Sequence, residues 1–378
     1  MRLLPISRAP DRARLARDIL TGRDALPLLR AGVTLDARYR AALQKAGVHA
    51  LYIDDEWSDG ILPQPLVSDE TRAEATRAVA SAYDEARHTL AAGQTLGKAA
   101  TDTLTQVVEQ ILRDIEQCAT TALVLSDLSC ADAYTFQHSI DVTALGLLIG
   151  HRMFSVYGWR DYRGVRQHAR RDERLSRLGM GLLLHDIGKL AIPREILSKP
   201  GKLSQAEWEI MKTHPRTGVE LLRDSSAWCP LVQAIVLRHH ERWDGSGYPD
   251  GKSGEQIHEM ARIAAIADVY DAITSERPYA PARPPHEGVR AIMSGAGTQF
   301  DPTIAAVFAR LVAPFPPGLE LRLADGRRAL VVSVPEEQLD RPLVRVIDGP
   351  DAPYEVALLR EPEIRIAGWD GQAATAAA

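Results

Sequence analysis

The stretch Leu184-His185-Asp186-Ile187-Gly188-Lys189 concentrates more reactive chemistry than any other in the 378-residue chain. An apolar run, Leu178-Gly179-Met180-Gly181-Leu182-Leu183-Leu184, leads into the His-Asp pair, and Gly188 ends it. The pattern predicts a buried helix with two strong metal-binding side chains at its C-terminal end. A neutral imidazole and a carboxylate both suit iron, manganese or zinc. Neighbours about 100° apart on a helix can embrace one ion. Lys189 stands one turn beyond, where a fixed positive charge could serve a phosphate. The dipeptide alone is weak, because 11 His in the chain supply roughly one such pair by chance.

Other candidates lie on both sides. His138 falls on an apolar helical face running through Val142, Leu145, Leu148 and Ile149, where it reads as a satisfied core histidine or as a ligand. Pro215 after His214 is expected to break regular helix and expose the imidazole. A helix carrying Leu231, Ile235 and Val236 runs into Arg238-His239-His240-Glu241. Asp268 has Ala264, Ala265 and Ala272 as helical neighbours, and a carboxylate so placed is costly unless paired or metal-bound. Asp271 reads equally as a buried hydrogen-bond acceptor. Together His138, His185, Asp186, His214, His239, His240 and Asp268 supply seven N/O donors, enough for a two-metal site with a bridging carboxylate. Such a site clamps both oxygens of a phosphodiester undergoing in-line hydrolysis. With no thiolate, the set suits iron or manganese at least as well as zinc.

Composition bounds what the rest can be. Hydrophobic content of 45% and charged content of 25% are ordinary for a soluble protein of two or three domains. A net charge of −5 argues against a general polyanion binder, so no DNA or RNA partner is expected. No segment approaches the ~18 apolar residues of a membrane span, and the first eight residues lack a signal-peptide core. Cys118, Cys130 and Cys229 form neither a disulfide framework nor a CxxC. A reducing, cytoplasmic setting fits.

The elements that must position these groups are readable in outline. Residues 1–67 predict a small accessory α/β unit: a strand–turn–strand over 15–29, a helix from Asp36 to Ala46 stopped by Gly47, and a strand over 48–53. Long helices follow over about 68–90 and 99–118, the second with Leu104, Val107, Val108, Ile111, Leu112 and Ile115 on one face. The arginine-rich segment 154–177 reads as a solvated basic loop, or less readily as a phosphate-attracting rim. Ser204 with Glu207 forms a capping box for a helix carrying Trp208 and Met211 towards His214. The loop Trp243-Asp244-Gly245-Ser246-Gly247-Tyr248-Pro249-Asp250-Gly251 reads as an ordinary turn or as a site-shaping one. A helix over about 259–274 holds Asp268. From Leu319 the period changes to two, predicting a small β domain over 316–378.

With these residues in view, the chain resembles the HD-GYP family of cyclic di-GMP phosphodiesterases, a branch of the HD-domain metal phosphohydrolases. The matching residues run from about Tyr134 to Phe308. They include His185-Asp186-Ile187-Gly188-Lys189, Ile192-Pro193, Lys199-Pro200-Gly201, and His214 followed by Gly218. His239-His240-Glu241 continues into Asp244-Gly245-Ser246-Gly247-Tyr248-Pro249. Arg262-Ile263, Asp268-Val269-Tyr270-Asp271-Ala272, Arg277-Pro278-Tyr279 and Phe300-Asp301-Pro302 complete the set.

The resemblance implies a mainly α fold: an all-helical HD-type bundle over 68–315, with motif-matched core 134–308, between the two small terminal units. It implies that His138, His185, Asp186 and Asp268 hold one divalent transition metal, iron or manganese. Asp186, His214, His239 and His240 hold the other, with Asp186 bridging. Asp186 and Lys189 are then catalytic. Lys189 and Arg277 contact phosphate, and Gly247, Tyr248 and Pro249 help shape the substrate site. The implied substrate is cyclic di-GMP, a related cyclic dinucleotide being the alternative, and a non-catalytic nucleotide-binding scaffold the rival class. The terminal units leave room for regulatory protein partners. Two positions depart from the family: Tyr134 stands where three-metal members carry Glu, and Ala280 where Lys is common. Two metals, not three, are therefore expected.

Overall fold

The computed structural model describes residues 1–21, 26–46, 48, 50–92, 97–118, 134–161, 163–223, 229–275 and 282–369. Its N-terminal unit is an antiparallel sheet in the order β1 (Arg2–Pro5), β5 (Ala50–Asp54), β2 (Arg14–Leu15), beside a β3–β4 hairpin (Ile19–Thr21, Leu26–Leu29). Helix α1 (Ala37–Lys45) begins at Asp36, whose carboxylate accepts the Tyr39 N–H at 2.8 Å as an N-cap. Leu4, Leu15, Leu35, Leu43, Leu51 and Ile53 close this unit's core. Gly47 and the turn at 22–25 lie outside the described residues.

The helical body follows: α2 (Asp69–Ala92), α3 (Lys98–Gln117), α4 (Tyr134–Val156) and α5 (Arg171–Leu184). Then come α6 (Arg194–Leu197), α7 (Gln205–Met211), α8 (His214–Leu221), α9 (Pro230–Arg238), α10 (Glu259–Thr274), α11 (Pro285–Ser294) and α12 (Pro302–Ala309). The stripe expected on α3 is buried except for Leu112, which is partly buried, and with α4, α5, α9 and α10 it forms one large core. Helix α10 has no polar face over most of its length; Met260–Asp268 is buried throughout, as suits a helix enclosed by others. The capping box at Ser204 and Glu207 forms as expected.

Two local expectations are corrected. Residues 154–177 are not a solvated loop. Helix α4 runs to Val156, a hairpin of β6 (Trp159–Arg160) and β7 (Arg166–Gln167) follows, and α5 starts at Arg171. The arginines are largely spent on partners: Arg160 on Glu255 and Arg166 on Glu259, both at 2.7 Å, and Arg174 over the Trp159 ring at 3.7 Å. Those carboxylates lie about 90 residues away in sequence, beyond the reach of a local reading. Pro215, for its part, starts a helix rather than ending one. It occupies the first turn of α8, where the missing N–H would have had no partner, so His214 turns inward and is buried.

The C-terminal unit is a five-stranded antiparallel sheet in the order β11 (Tyr354–Ala357), β10 (Leu343–Val346), β9 (Arg328–Ser333), β8 (Glu320–Leu323), β12 (Ile366–Trp369). It touches the N-terminal unit directly. Leu3 N–H donates to Gly318 C=O at 2.9 Å, and Arg2 reaches both Asp55 (2.6 Å) and Glu320 (3.1 Å). Ile61 joins Leu330 and Ile347 in a small shared core.

After α5 the chain turns through a short 3-10 segment, Ile187–Ala191, pressed against α8. A Cβ at Gly188 would sit 1.9 Å from the His214 carbonyl oxygen and 2.5 Å from the Gly218 nitrogen. Gly188→Ala is therefore expected to push α8 away, costing about 1–3 kcal/mol as overpacking. The check is a lowered melting temperature together with lowered metal content, since His214 moves with α8; wild-type values of both would refute it.

Candidate metal centre

The site is built where helices end. His138 lies on α4, His185 closes α5, and Asp186 follows it at the head of the 3-10 turn that carries Lys189. His214 opens α8, His239 and His240 follow α9, and Asp268 and Asp271 sit on α10. The last carbonyls of a helix have no intrahelical donor, and here imidazoles supply it. Nδ1–H of His185 donates to Leu182 C=O at 2.7 Å, that of His214 to Met211 C=O at 2.9 Å, and that of His239 to Val236 C=O at 2.9 Å. A carbonyl only accepts, so Nδ1 carries the proton and Nε2 is left with a lone pair. His138 is oriented instead through a carboxylate, with Asp271 Oδ2 accepting from its Nδ1 at 2.5 Å. That settles Asp271 as a buried acceptor that orients a histidine.

All four Nε2 atoms converge on Asp186. Oδ2 lies 3.4 Å from His185 and 3.7 Å from His138; Oδ1 lies 3.4 Å from His214 and 3.9 Å from His239. One carboxylate thus faces a pair of imidazoles on each oxygen. Asp268 closes the ring, 3.3 Å from His138 Nε2 and 3.9 Å from His240 Nδ1. The donor atoms fall into two groups that share Asp186: His138, His185 and Asp186, and Asp186, His214, His239 and His240. The structure brings all seven residues expected from the sequence into one cluster, with Lys189 Nζ 2.6 Å from Asp186 Oδ2. Arg277 and Ala280 lie outside the described residues, as does the side chain of Tyr134.

The donor set fits divalent metal. Among the described residues His185 Nε2 and Asp186 Oδ1 are buried with no hydrogen-bond partner, a costly state that a cation relieves. Burial, reinforced by neighbouring imidazoles, holds His239 well below the usual histidine range; burial also lowers His214 and takes His240 down to about 3. Burial alone raises Asp186 and Asp268. Lys189 and His185 override it for the first, and His138 for the second, holding both well below the usual carboxylate range. Neutral nitrogens and charged oxygens are the protonation states a metal requires.

The loop after His240 is clamped by a residue whose role sequence reasoning missed. Glu241 is buried, and its carboxylate accepts the N–H groups of Asp250 (2.8 Å) and Lys252 (3.0 Å), cinching the loop shut. Gly247 passes so close beneath that a Cβ would lie 2.5 Å from the His240 carbonyl oxygen. Tyr248 N–H then donates to that carbonyl at 3.2 Å, and its ring stacks on His240 with centroids 4.7 Å apart. The available signal was a charged residue directly after a ligand pair, with no solvated reason to be there.

A helical body with this cluster defines a class. Residues 159–304 match the family model described as HD domain. The chain is 36% identical over 273 residues to a cyclic di-GMP phosphodiesterase of Pseudomonas aeruginosa, covering 72% of this chain and 60% of that protein. It is 48% identical over 132 residues to the cyclic di-GMP phosphodiesterase response regulator RpfG of Xanthomonas campestris pv. campestris, covering 35% of each. Over 122 residues it is 43% identical to a 3'3'-cGAMP-specific phosphodiesterase of Vibrio cholerae, covering 32% of this chain and 23% of that one. The chain thus spans less than two thirds of the length of these relatives. Residues 159–304 thus form an HD domain, and these relatives support the resemblance to the HD-GYP family.

Two outcomes follow. Burial lowers His138, but Asp268 and Asp271 more than offset this and raise it to about 10, so without metal it is protonated at neutral pH. Metal uptake near pH 7 should therefore release about one proton from His138, and affinity should rise with pH until about 10. Calorimetry in buffers of different ionisation enthalpy measures this; a pH-independent affinity would contradict it. Glu241→Gln should free one loop amide at a cost of about 1.5–3 kcal/mol. Amide exchange at Asp250 and Lys252 should accelerate, while unchanged protection would exclude the clamp.

Proposed function

We propose that the chain is a metal-dependent phosphodiesterase that opens cyclic di-GMP. The observation that carries this reading is the single Asp186 carboxylate with two imidazoles facing each oxygen. In this reading His138, His185, Asp186 and Asp268 hold one ion, and Asp186, His214, His239 and His240 the other. Two iron or manganese ions suit this hard-to-borderline N/O set. When bound, they supply an activated water and clamp the attacking and leaving oxygens of the ester.

The chain's own groups do the rest. Asp186 offsets charge from both sides of the site. Lys189, tied to Asp186 by a short ion pair, can turn its ammonium to a phosphate oxygen as negative charge develops there. Arg277 is assigned a second phosphate contact, and Gly247, Tyr248 and Pro249 wall the site, with Tyr248 covering one face of His240. Water adds to phosphorus, the P–O bond to one ribose breaks, and the leaving oxygen takes a proton, giving a linear dinucleotide. A bacterial cytoplasm is the setting this substrate implies, with regulatory partners acting through the terminal units.

A related cyclic dinucleotide is the second reading, favoured by the identity shared with a 3'3'-cGAMP-specific relative. Incubating metal-loaded protein with cyclic di-GMP and with 3'3'-cGAMP, and separating products over time, distinguishes the two. Asp186→Ala should abolish turnover and lower metal content, because it removes the only shared ligand. Substantial residual activity would refute the shared carboxylate. Elemental analysis with anomalous diffraction should find two ions per chain; three filled positions would overturn that count.

A further inference from the structure

A cleft of about 410 Å³ opens directly from His239 and His240. Tyr248, Ala265 and Val269 give it apolar walls, and Trp208 stands at its edge with 40% of its surface exposed. The Trp208 ring meets Tyr248 edge to face at 5.9 Å, which fixes its orientation and leaves a flat apolar surface open. Lys212 and Arg242 are its cations. Lys212 is already held by Glu209 at 2.8 Å. Arg242 is held more loosely: the Asp244 carboxylate is 3.8 Å from its Nε, and 39% of its side chain stays exposed. An exposed aromatic face and a loosely paired, partly exposed guanidinium, both beside a candidate phosphoryl site, call for a flat ligand with an acceptor-rich edge.

We propose that this cleft seats one guanine of the substrate, stacked against Trp208 and read at its O6 and N7 acceptors by Arg242. The assignment rests on the phosphodiesterase reading above, which brings a phosphate to the metal cluster and a purine within reach of the adjoining space. Aromatic stacking holds any base, so Trp208 supplies affinity without choice. Arg242 supplies the choice. A guanidinium only donates; guanine offers it two acceptors, whereas adenine presents one acceptor and an amino donor in the same places.

The test uses the full metal-loaded chain with cyclic di-GMP, cyclic di-AMP and the base-free ester bis(p-nitrophenyl) phosphate. Trp208→Ala should raise KM for cyclic di-GMP roughly tenfold or more, well beyond its effect on the base-free ester, and Trp208→Phe should recover most of the loss. Arg242→Gln should cut the preference for guanine over adenine by about tenfold. Calorimetric binding of GMP and AMP should show the same change without turnover. Equal losses on all three esters, or an unchanged base preference in Arg242→Gln, would overturn the guanine seat. Cleavage of the base-free ester with neither cyclic dinucleotide accepted is a separate result: it removes the substrate reading, and the guanine seat falls with it.

Discussion

The organising constraint is a carboxylate in the wrong place. Asp186 is 2% exposed inside a helical core, where an isolated charge would cost far more than the fold's net stability. Everything nearby reduces that cost. Lys189 pairs with one oxygen, and four imidazoles turn Nε2 towards the two. None of the four is fixed by the carboxylate itself; each is held from behind by Leu182, Met211, Val236 or Asp271. The fold itself thus holds the four rings, which lowers what metal binding would have to order.

That arrangement explains why His185, His214 and His239 sit at helix ends. A helix interior leaves no free carbonyl for an imidazole to bond, whereas the last turn does. His185 and His239 each use the carbonyl three residues back, and His214 does so across the break between α7 and α8. These carbonyls lie where intrahelical donors run out, although Leu182 C=O also accepts the His185 N–H at 3.5 Å. Capping the helices and fixing the histidine tautomers are one set of hydrogen bonds, so helix length is as much a determinant of the site as ligand identity.

Legibility in the sequence followed locality. Helix α10 was readable to its ends, since its apolar run and its boundaries are contained in the segment itself. The capping box at Ser204 and the period-two pattern after Leu319 were readable for the same reason. The seven-residue cluster was legible because unusual polar residues recur on apolar helices, and the resemblance grouped them. What was lost depended on distant partners. The arginines of 160–174 find Glu255, Glu259 and Trp159 only after folding. Glu241 gains its meaning from amides nine and eleven residues on. Pro215 was misread because its effect depends on whether it stands inside a helix or at its start.

The terminal units are not remote from this chemistry. Arg17 of the N-terminal unit pairs with Asp69 at the start of α2 at 2.6 Å. Three residues on, Arg72 pairs with Asp141 of α4 at 2.7 Å, both side chains buried, and Asp141 is one turn from His138. Helix α2 also packs against the 3-10 turn that carries Lys189. A buried ion pair transmits position well because parting it leaves two uncompensated charges. Arg72 thus ties α2 to the helix that carries His138, and the other contact ties it to the turn that carries Lys189. Because the C-terminal sheet also grips the N-terminal unit through Glu320 and Arg2, both terminal units are linked to the helix that packs against α4 and the turn carrying Lys189.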